Sequence, residues 1–373
     1  MNQADPLALA QALIRCPSIT PADAGAQDVL AAALRALGFR VFPLPFGAVS
    51  NLYARIGNTP PLFCFAGHTD VVPPGQAAWS VDPFGAEIRA GCLYGRGACD
   101  MKGAIAAFVA GAAAHRAISQ QGSICLLITG DEEGVAENGT IKVLDWMADK
   151  GEKPDFCLVG EPTNPKRIGE VIKIGRRGSL SAAITVHGRQ GHVAYPALAD
   201  NPVHRLLAAL APLIAVPLDA GSAWFEPSGL EITTIDVANP TSNVIPATAR
   251  ASLNIRFNDL HRGGDLAAWL RSALARHADR AELDIAISAE PFLTEPGPEI
   301  TKLATTIGAA TGISPRLETG GGTSDARFIR SLCPVAEFGL VGASMHQADE
   351  HVALAELAAL SEIYRAILRT FLG

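Results

Sequence analysis

The sequence predicts a mostly parallel α/β sheet flanked by helices, interrupted by an inserted α+β domain of ferredoxin-like order. Three observations carry that prediction. Residues 62–66, 124–129 and 156–159 form short, largely apolar runs, the mark of strands covered on both faces. Helical patterns alternate with such strands, which makes the sheet largely parallel. From about residue 179 the texture changes to a strand–helix–strand–strand–helix–strand series that ends near Pro291.

Taken in order, residues 5–15 and 26–37 read as amphipathic helices, the second closed by Gly38. The strand at 62–66 ends in Gly67-His68-Thr69-Asp70. A turn at Pro73-Pro74-Gly75 and Trp79 follow, and the segment 93–103 then leads into an alanine-rich helix at about 104–117, small enough on all sides to pack closely on a sheet. The strand at 124–129 ends in Gly130-Asp131-Glu132-Glu133-Gly134, and the strand at 156–159 in Gly160-Glu161-Pro162. In the second domain, strands are expected at 181–186, 230–237, 247–257 and 283–288, with helices at 201–215 and 264–278. Ala249, Ala251, Leu253, Ile255 and Phe257 share one parity, so one face of that strand is apolar. The first domain resumes with a helix at 298–311, a glycine-rich turn at 319–325, a strand near 335–340, His346 and a last helix at 352–371. The expected domains are therefore 1–178 with 292–373, discontinuous, and 179–291 inserted.

A chain of 373 residues suits two such domains. With 49% hydrophobic and 18% charged residues it has material for a real core. The net charge of −7, without a basic block, argues against nucleic acid or an anionic membrane as partner. No apolar run approaches the roughly 20 residues that span a bilayer. The opening residues 1–6 have neither the basic nor the apolar part of a signal peptide, and a cytoplasmic location is expected. The seven cysteines include no C-x-x-C pair, and Cys64, Cys125 and Cys157 sit in apolar runs, which fits a reducing compartment. Cys99, with polar neighbours, is a weak candidate nucleophile. Gly95-x-Gly97 has Asp100 where a dinucleotide fingerprint needs glycine, and residues 320–324 lack the lysine of a P-loop. Gly-x-Ser-x-Gly is absent, so a serine nucleophile elbow is excluded.

Ligands of such sheets bind beyond the carboxyl ends of the strands. His68, Asp70, Glu132, Glu133 and Glu161 all stand at such ends. Three adjacent carboxylates at 131–133 repel one another, and a site near the core needs concentrated positive charge to hold them. Alone, the triplet would read as a solvated turn and His68 as a satisfied core histidine. The recurrence of acids at neighbouring strand ends favours a metal site. Imidazole and carboxylate together suit a borderline divalent cation such as zinc. His68 and Asp70, two apart in an extended segment, point the same way, so one can ligate while the other fixes its tautomer.

These stretches, with the segment Tyr94-Gly95-Arg96-Gly97-Ala98-Cys99-Asp100-Met101-Lys102-Gly103 and His346, resemble the co-catalytic di-zinc aminoacylase and carboxypeptidase family over nearly the whole chain. The resemblance implies a zinc-peptidase-like fold, in which 179–291 serves as a lid and dimerisation domain. It implies two zinc ions per subunit, for which cobalt could substitute, with Asp100 bridging. His68 and Glu161 would complete one site, Glu133 and His346 the other, and the bond Asp100–Met101 would be cis. His351, nearby, is expected to cap or face solvent at the start of the last helix. Glu132 would be the general base, Asp70 would orient His68, and Asp131 would hold the turn. His192, in Gln190-Gly191-His192, would stabilise the oxyanion from the partner subunit of a homodimer. Residues 175–180, 190–196, 241–246 and 321–329 point to one branch, acting on the small molecule N-succinyl-LL-2,6-diaminopimelate to give LL-2,6-diaminopimelate and succinate. Guanidinium groups grip carboxylates in bidentate fashion. Arg177, Tyr195, Asn243, Arg256 and Thr323 are the substrate-binding candidates, with Arg176 as the alternative to Arg177. Deacylation of N-acetylornithine, dipeptide cleavage, or metal-free binding on the same scaffold are the competing readings.

Overall fold

The structure is a computed structural model that describes residues 5–278 and 280–373. It divides into two compact units. One comprises the chain up to Ile174, Thr294–Glu318 and Ser324–Gly373; the other comprises Gly175–Leu293 and Thr319–Thr323.

The first unit is built on an eight-stranded sheet. From edge to edge its strands are Arg40–Pro43, Leu52–Ile56, Ser123–Thr129, Leu62–His68, Phe156–Val159, Val335–Glu337, Val171–Lys173 and Arg316–Glu318. Its middle four run parallel, with Cys64 opposite both Cys125 and Cys157 and Val335 opposite Cys157. The apolar runs are buried along their whole length, as strands covered on both faces must be. The alanine-rich helix Gly103–Arg116 lies against the last helix, Leu354–Leu372. A Cβ on Gly111 would meet the carbonyl oxygen of Ser361 at 2.7 Å, so only glycine permits that approach. Phe65 stacks on Phe108 with ring centres 4.1 Å apart, and Tyr364 meets Phe108 edge-on.

Several elements differ from the sequence reading. The expected strand at 335–340 stops at Glu337, and beyond it Gly339 runs close against the main chain of Gly160–Glu161. His351 does not cap the last helix: it opens the strand His351–Ala353, paired with Cys92–Tyr94, its ring 4.9 Å from that of Tyr94. The helix Thr140–Asp149 and the strands Arg40–Pro43, Leu52–Ile56, Val171–Lys173 and Arg316–Glu318 had no expected counterpart.

The second unit is a four-stranded antiparallel sheet in the order Gly229–Asp236, Thr248–Phe257, Gly178–His187, Ala281–Ala289. That order, with helices Pro202–Ile214 and Gly263–Ala275, is ferredoxin-like. Leu180, Ile184, Leu206, Leu210, Leu253, Ile255, Phe257 and Leu270 belong to its core, so the predicted apolar parity of 249–257 is the buried one. The pairing of Gly175–Arg176 with Phe292–Leu293 starts this unit at residue 175 rather than 179. The glycine-rich residues 319–323 join it as well, where Arg176 Nη1 donates to the Gly322 carbonyl.

Among the described residues no helix is long and apolar enough to cross a membrane. All seven cysteines are free thiols.

Candidate metal centre

His68 ends the central strand Leu62–His68 and is buried. Its Nε2 lies 3.2 Å from Asp100 Oδ1 and 3.7 Å from Glu161 Oε1. On the other side of the ring, Nδ1 is 2.9 Å from the main-chain oxygen of Asp70 and 3.6 Å from its Oδ1. The nearer partner that fixes the tautomer is thus the Asp70 carbonyl, not the carboxylate that spacing suggested. The carboxylate has another task. Its two oxygens accept from the backbone N–H groups of Glu132 (3.3 Å) and Glu133 (3.0 Å), pinning the acidic turn to the next strand end. Asp131 holds the far side of that turn, its Oδ2 accepting from the Asn138 N–H at 3.1 Å.

Asp100 stands at the mouth of the helix Gly103–Arg116, and the bond Asp100–Met101 is cis. Its two carboxylate oxygens face different histidines. Oδ1 is directed at His68, and Oδ2 lies 3.2 Å from His346 Nε2. That nitrogen is also 2.9 Å from Glu133 Oε1. Donor atoms of His68, Asp100 and Glu133 fall within 4.8 Å of one another, as do those of His68, Glu132 and Glu161.

The charges crowd. Burial and then the charge of Glu161 push the Glu132 carboxyl well above the usual carboxylate range, against the pull of His68. Burial also raises Asp70, although His68 and the two amides it accepts from pull it down. Burial would raise Asp100 too, but hydrogen bonds with His346 and His68 hold it below its ordinary value. His346, bonded to Asp100 and Glu133, is raised to about 10. For His68, burial is outweighed by Asp100, Glu161 and Glu132, which hold it well above the usual imidazole range. The acids around both imidazoles thus favour positive charge at this place. Divalent cations would take that place with the imidazoles neutral, and a nitrogen and carboxylate-oxygen donor set is one that zinc accepts. The residues fit the metal.

The remaining sequence-predicted residues lie in the second unit. His192 is exposed, its Nδ1 accepting from the Ala194 N–H at 3.0 Å, and Tyr195 is exposed beside it. Asn243 is exposed too, its carbonyl accepting from the Val193 N–H. Thr323 is half-buried in the glycine-rich segment. Arg177 and Arg256 are close enough that burial and then the Arg177 charge lower the pKa of Arg256. Arg176 Nη1 donates to the carbonyl of Gly322, next to Thr323.

Two buried acids near the centre were missed. Asp325 accepts from Thr140 Oγ1 at 2.6 Å and adds to the upward push on Glu132. Glu350 accepts from the backbone N–H groups of Cys99 and Asp100. Asp325 closes the glycine-rich turn 319–325 and Glu350 closely follows His346, and that proximity is the signal the sequence offers.

A succinyl-diaminopimelate desuccinylase of Granulibacter bethesdensis is 63% identical over 379 residues, an alignment spanning 99% of this chain and 98% of the relative. An M20 family metallo-carboxypeptidase from Sulfolobus solfataricus superposes with a TM-score of 0.83 at 16% identity, over 98% of this chain and 99% of that one. A dinuclear metal binding peptidase of the M20 family from Bacillus subtilis does so with a TM-score of 0.72 at 14% identity, over 99% and 97%. Because the model of peptidase family M20/M25/M40 matches residues 64–370, which hold every donor described above, the chain belongs to that family.

Proposed function

We propose that this chain is a metal-dependent amide hydrolase that cleaves N-succinyl-LL-2,6-diaminopimelate into LL-2,6-diaminopimelate and succinate. One observation supports it most: Asp100 turns one carboxylate oxygen to His68 and the other to His346, the arrangement of an aspartate shared between two cations. The substrate follows the near-full-length relative at 63% identity. His68, Asp100 and Glu161 would hold one cation, and Asp100, Glu133 and His346 the other; zinc is the expected metal and cobalt a substitute. Such a pair supplies Lewis acidity toward the amide carbonyl and the attacking water.

The protein's own groups do the rest. Glu132, raised by its buried acidic surroundings, takes a proton from water as the new C–O bond forms. It then delivers that proton to the amide nitrogen as the C–N bond breaks, so the products are succinate and the free amine. Asp70 holds Glu132 and Glu133 in register through their N–H groups. Arg177 and Arg256 bind substrate carboxylates, assisted by Tyr195, Asn243 and Thr323. His192 donates to the developing oxyanion from a second copy of the chain, and the active form is a cytoplasmic homodimer joined through the second unit.

A substrate panel at matched zinc loading tests the reading. The succinyl substrate should exceed N-acetylornithine and dipeptides in kcat/KM. A preference for either of those would shift the assignment within the family, and zinc-free protein with full, EDTA-insensitive activity would overturn it.

A further inference from the structure

We infer that the buried pair Arg96–Glu350 positions the candidate metal centre, with Glu350 setting the backbone of Asp100 and Arg96 tying that segment to the loop of His346. The inference rests on the metal-dependent reading above and adds two positioning residues that touch neither cation nor substrate.

Arg96 is 2% exposed and Glu350 is fully buried. Arg96 Nη1 donates to Glu350 Oε2 at 2.6 Å. The other oxygen, Oε1, accepts from the backbone N–H groups of Cys99 (3.1 Å) and Asp100 (3.3 Å) and from the Cys99 thiol (3.4 Å). The residue whose carboxylate faces both histidines therefore has its amide bonded to Glu350. Arg96 extends the network. Its guanidinium donates to the main-chain oxygens of Pro73 and Pro74, which follow the His68–Asp70 segment, and of His346 and Gln347. One ion pair thus joins three pieces of chain that carry His68, Asp100 and His346.

The His346 loop needs such support. His346 has φ +61° and Asp349 φ +57°, a left-handed conformation uncommon outside glycine, which costs free energy that the surroundings must offset. Stability alone is a poor explanation for the pair. A buried ion pair of this kind recovers little more than its own desolvation cost, and a well-packed apolar pair would often serve as well. What apolar side chains could not do is accept from the Asp100 N–H while donating to the His346 carbonyl. Partners that orient ligands from behind typically set metal affinity by 10–100-fold.

The test is zinc affinity of folded protein, read by competition with a chromophoric chelator well below the melting midpoint. Glu350→Gln keeps the shape but places amide hydrogens opposite Arg96 or the two N–H groups. Its zinc affinity should fall roughly 10–100-fold while its far-UV spectrum and cooperative melting remain. A folded Glu350→Gln protein that binds zinc as tightly as the parent would overturn the inference and leave the metal reading intact. A parent that binds no zinc would defeat both. Should the variant not fold, hydrogen exchange of the metal-free parent decides instead. The Cys99 and Asp100 amides should stay protected without metal, because their acceptor is Glu350; exchange at loop rates would overturn the inference.

Discussion

Glu132 and Glu133 are adjacent in sequence yet differ in surroundings. Glu133 is hydrogen-bonded to His346, whereas burial and then the charge of Glu161 push the Glu132 carboxyl up. Glu132→Ala should therefore keep its zinc and lose turnover by about 10²–10⁴-fold, the usual worth of a general base. Zinc loss in that variant, measured by metal analysis, would mean that base and ligand are exchanged. Arg256 is the second case. Burial and then the like charge of Arg177 lower its pKa, and Arg177 Nη1 itself lies 4.0 Å from Glu226 Oε2. Arg256→Met should lower kcat/KM for a carboxylate-rich substrate by roughly 10–100-fold, the worth of one charged hydrogen bond, and leave zinc content unchanged. Full activity would remove Arg256 from the site. At this scale residue types and order were legible, but their bonds were not. The spacing of His68 and Asp70 placed them together, yet it could not show that the Asp70 carbonyl is nearer to the imidazole than the carboxylate. Nor could the sequence show that Arg176 donates to the Gly322 carbonyl.

Elements carry the ligands, and their junctions can be tested apart from the chemistry. Gly339 follows the strand Val335–Glu337, where a Cβ would lie 2.3 Å from the Gly160 oxygen and 2.5 Å from that of Glu161. Both obstacles are backbone, so neither can rotate away. Gly339→Ala should cost about 1–3 kcal/mol by denaturant melting and weaken zinc binding by displacing Glu161; unchanged affinity would show that Glu161 is not a ligand. In the second unit, Asp219 accepts from the N–H groups of Gly221 and Ser228, from Asn258 Nδ2, and pairs with His261. Despite burial, which raises it, these bonds lower its pKa from 3.8 to about 2. A depressed carboxylate stabilises the fold above its unfolded pKa and loses that contribution as pH falls through the folded one. Asp219→Asn should thus cost about 1–2 kcal/mol at neutral pH and almost nothing below pH ~2, in melts followed across pH. A constant difference would refute the linkage. The sequence made long, continuous elements legible, because 62–68 and 123–129 are apolar along almost their whole length. Three-residue strands such as Val171–Lys173 and Arg316–Glu318 carry too little pattern, and pairing between distant segments alone defines them.

At the level of the whole molecule, the candidate residues fall into both units. Every candidate metal ligand and Glu132 belong to the first, whereas His192, Arg177 and Arg256 belong to the second. The second unit comprises Gly175–Leu293 and also Thr319–Thr323, a segment that no texture change in the sequence marks. If His192 serves another copy's centre, as proposed, that has a quantitative consequence. Glu132→Ala and His192→Ala homodimers should both be nearly inactive. In a hybrid dimer, the subunit that retains Glu132 faces a partner that retains His192, so one of its two sites is whole. Random reassortment of equal amounts makes half the dimers hybrids, and about a quarter of all sites should then be active. Mixing after mild dissociation and assaying at fixed total protein measures this. Recovery near that fraction means that the donor crosses between copies; no recovery, with exchange verified by labelled subunits, means that each centre must be completed from its own chain.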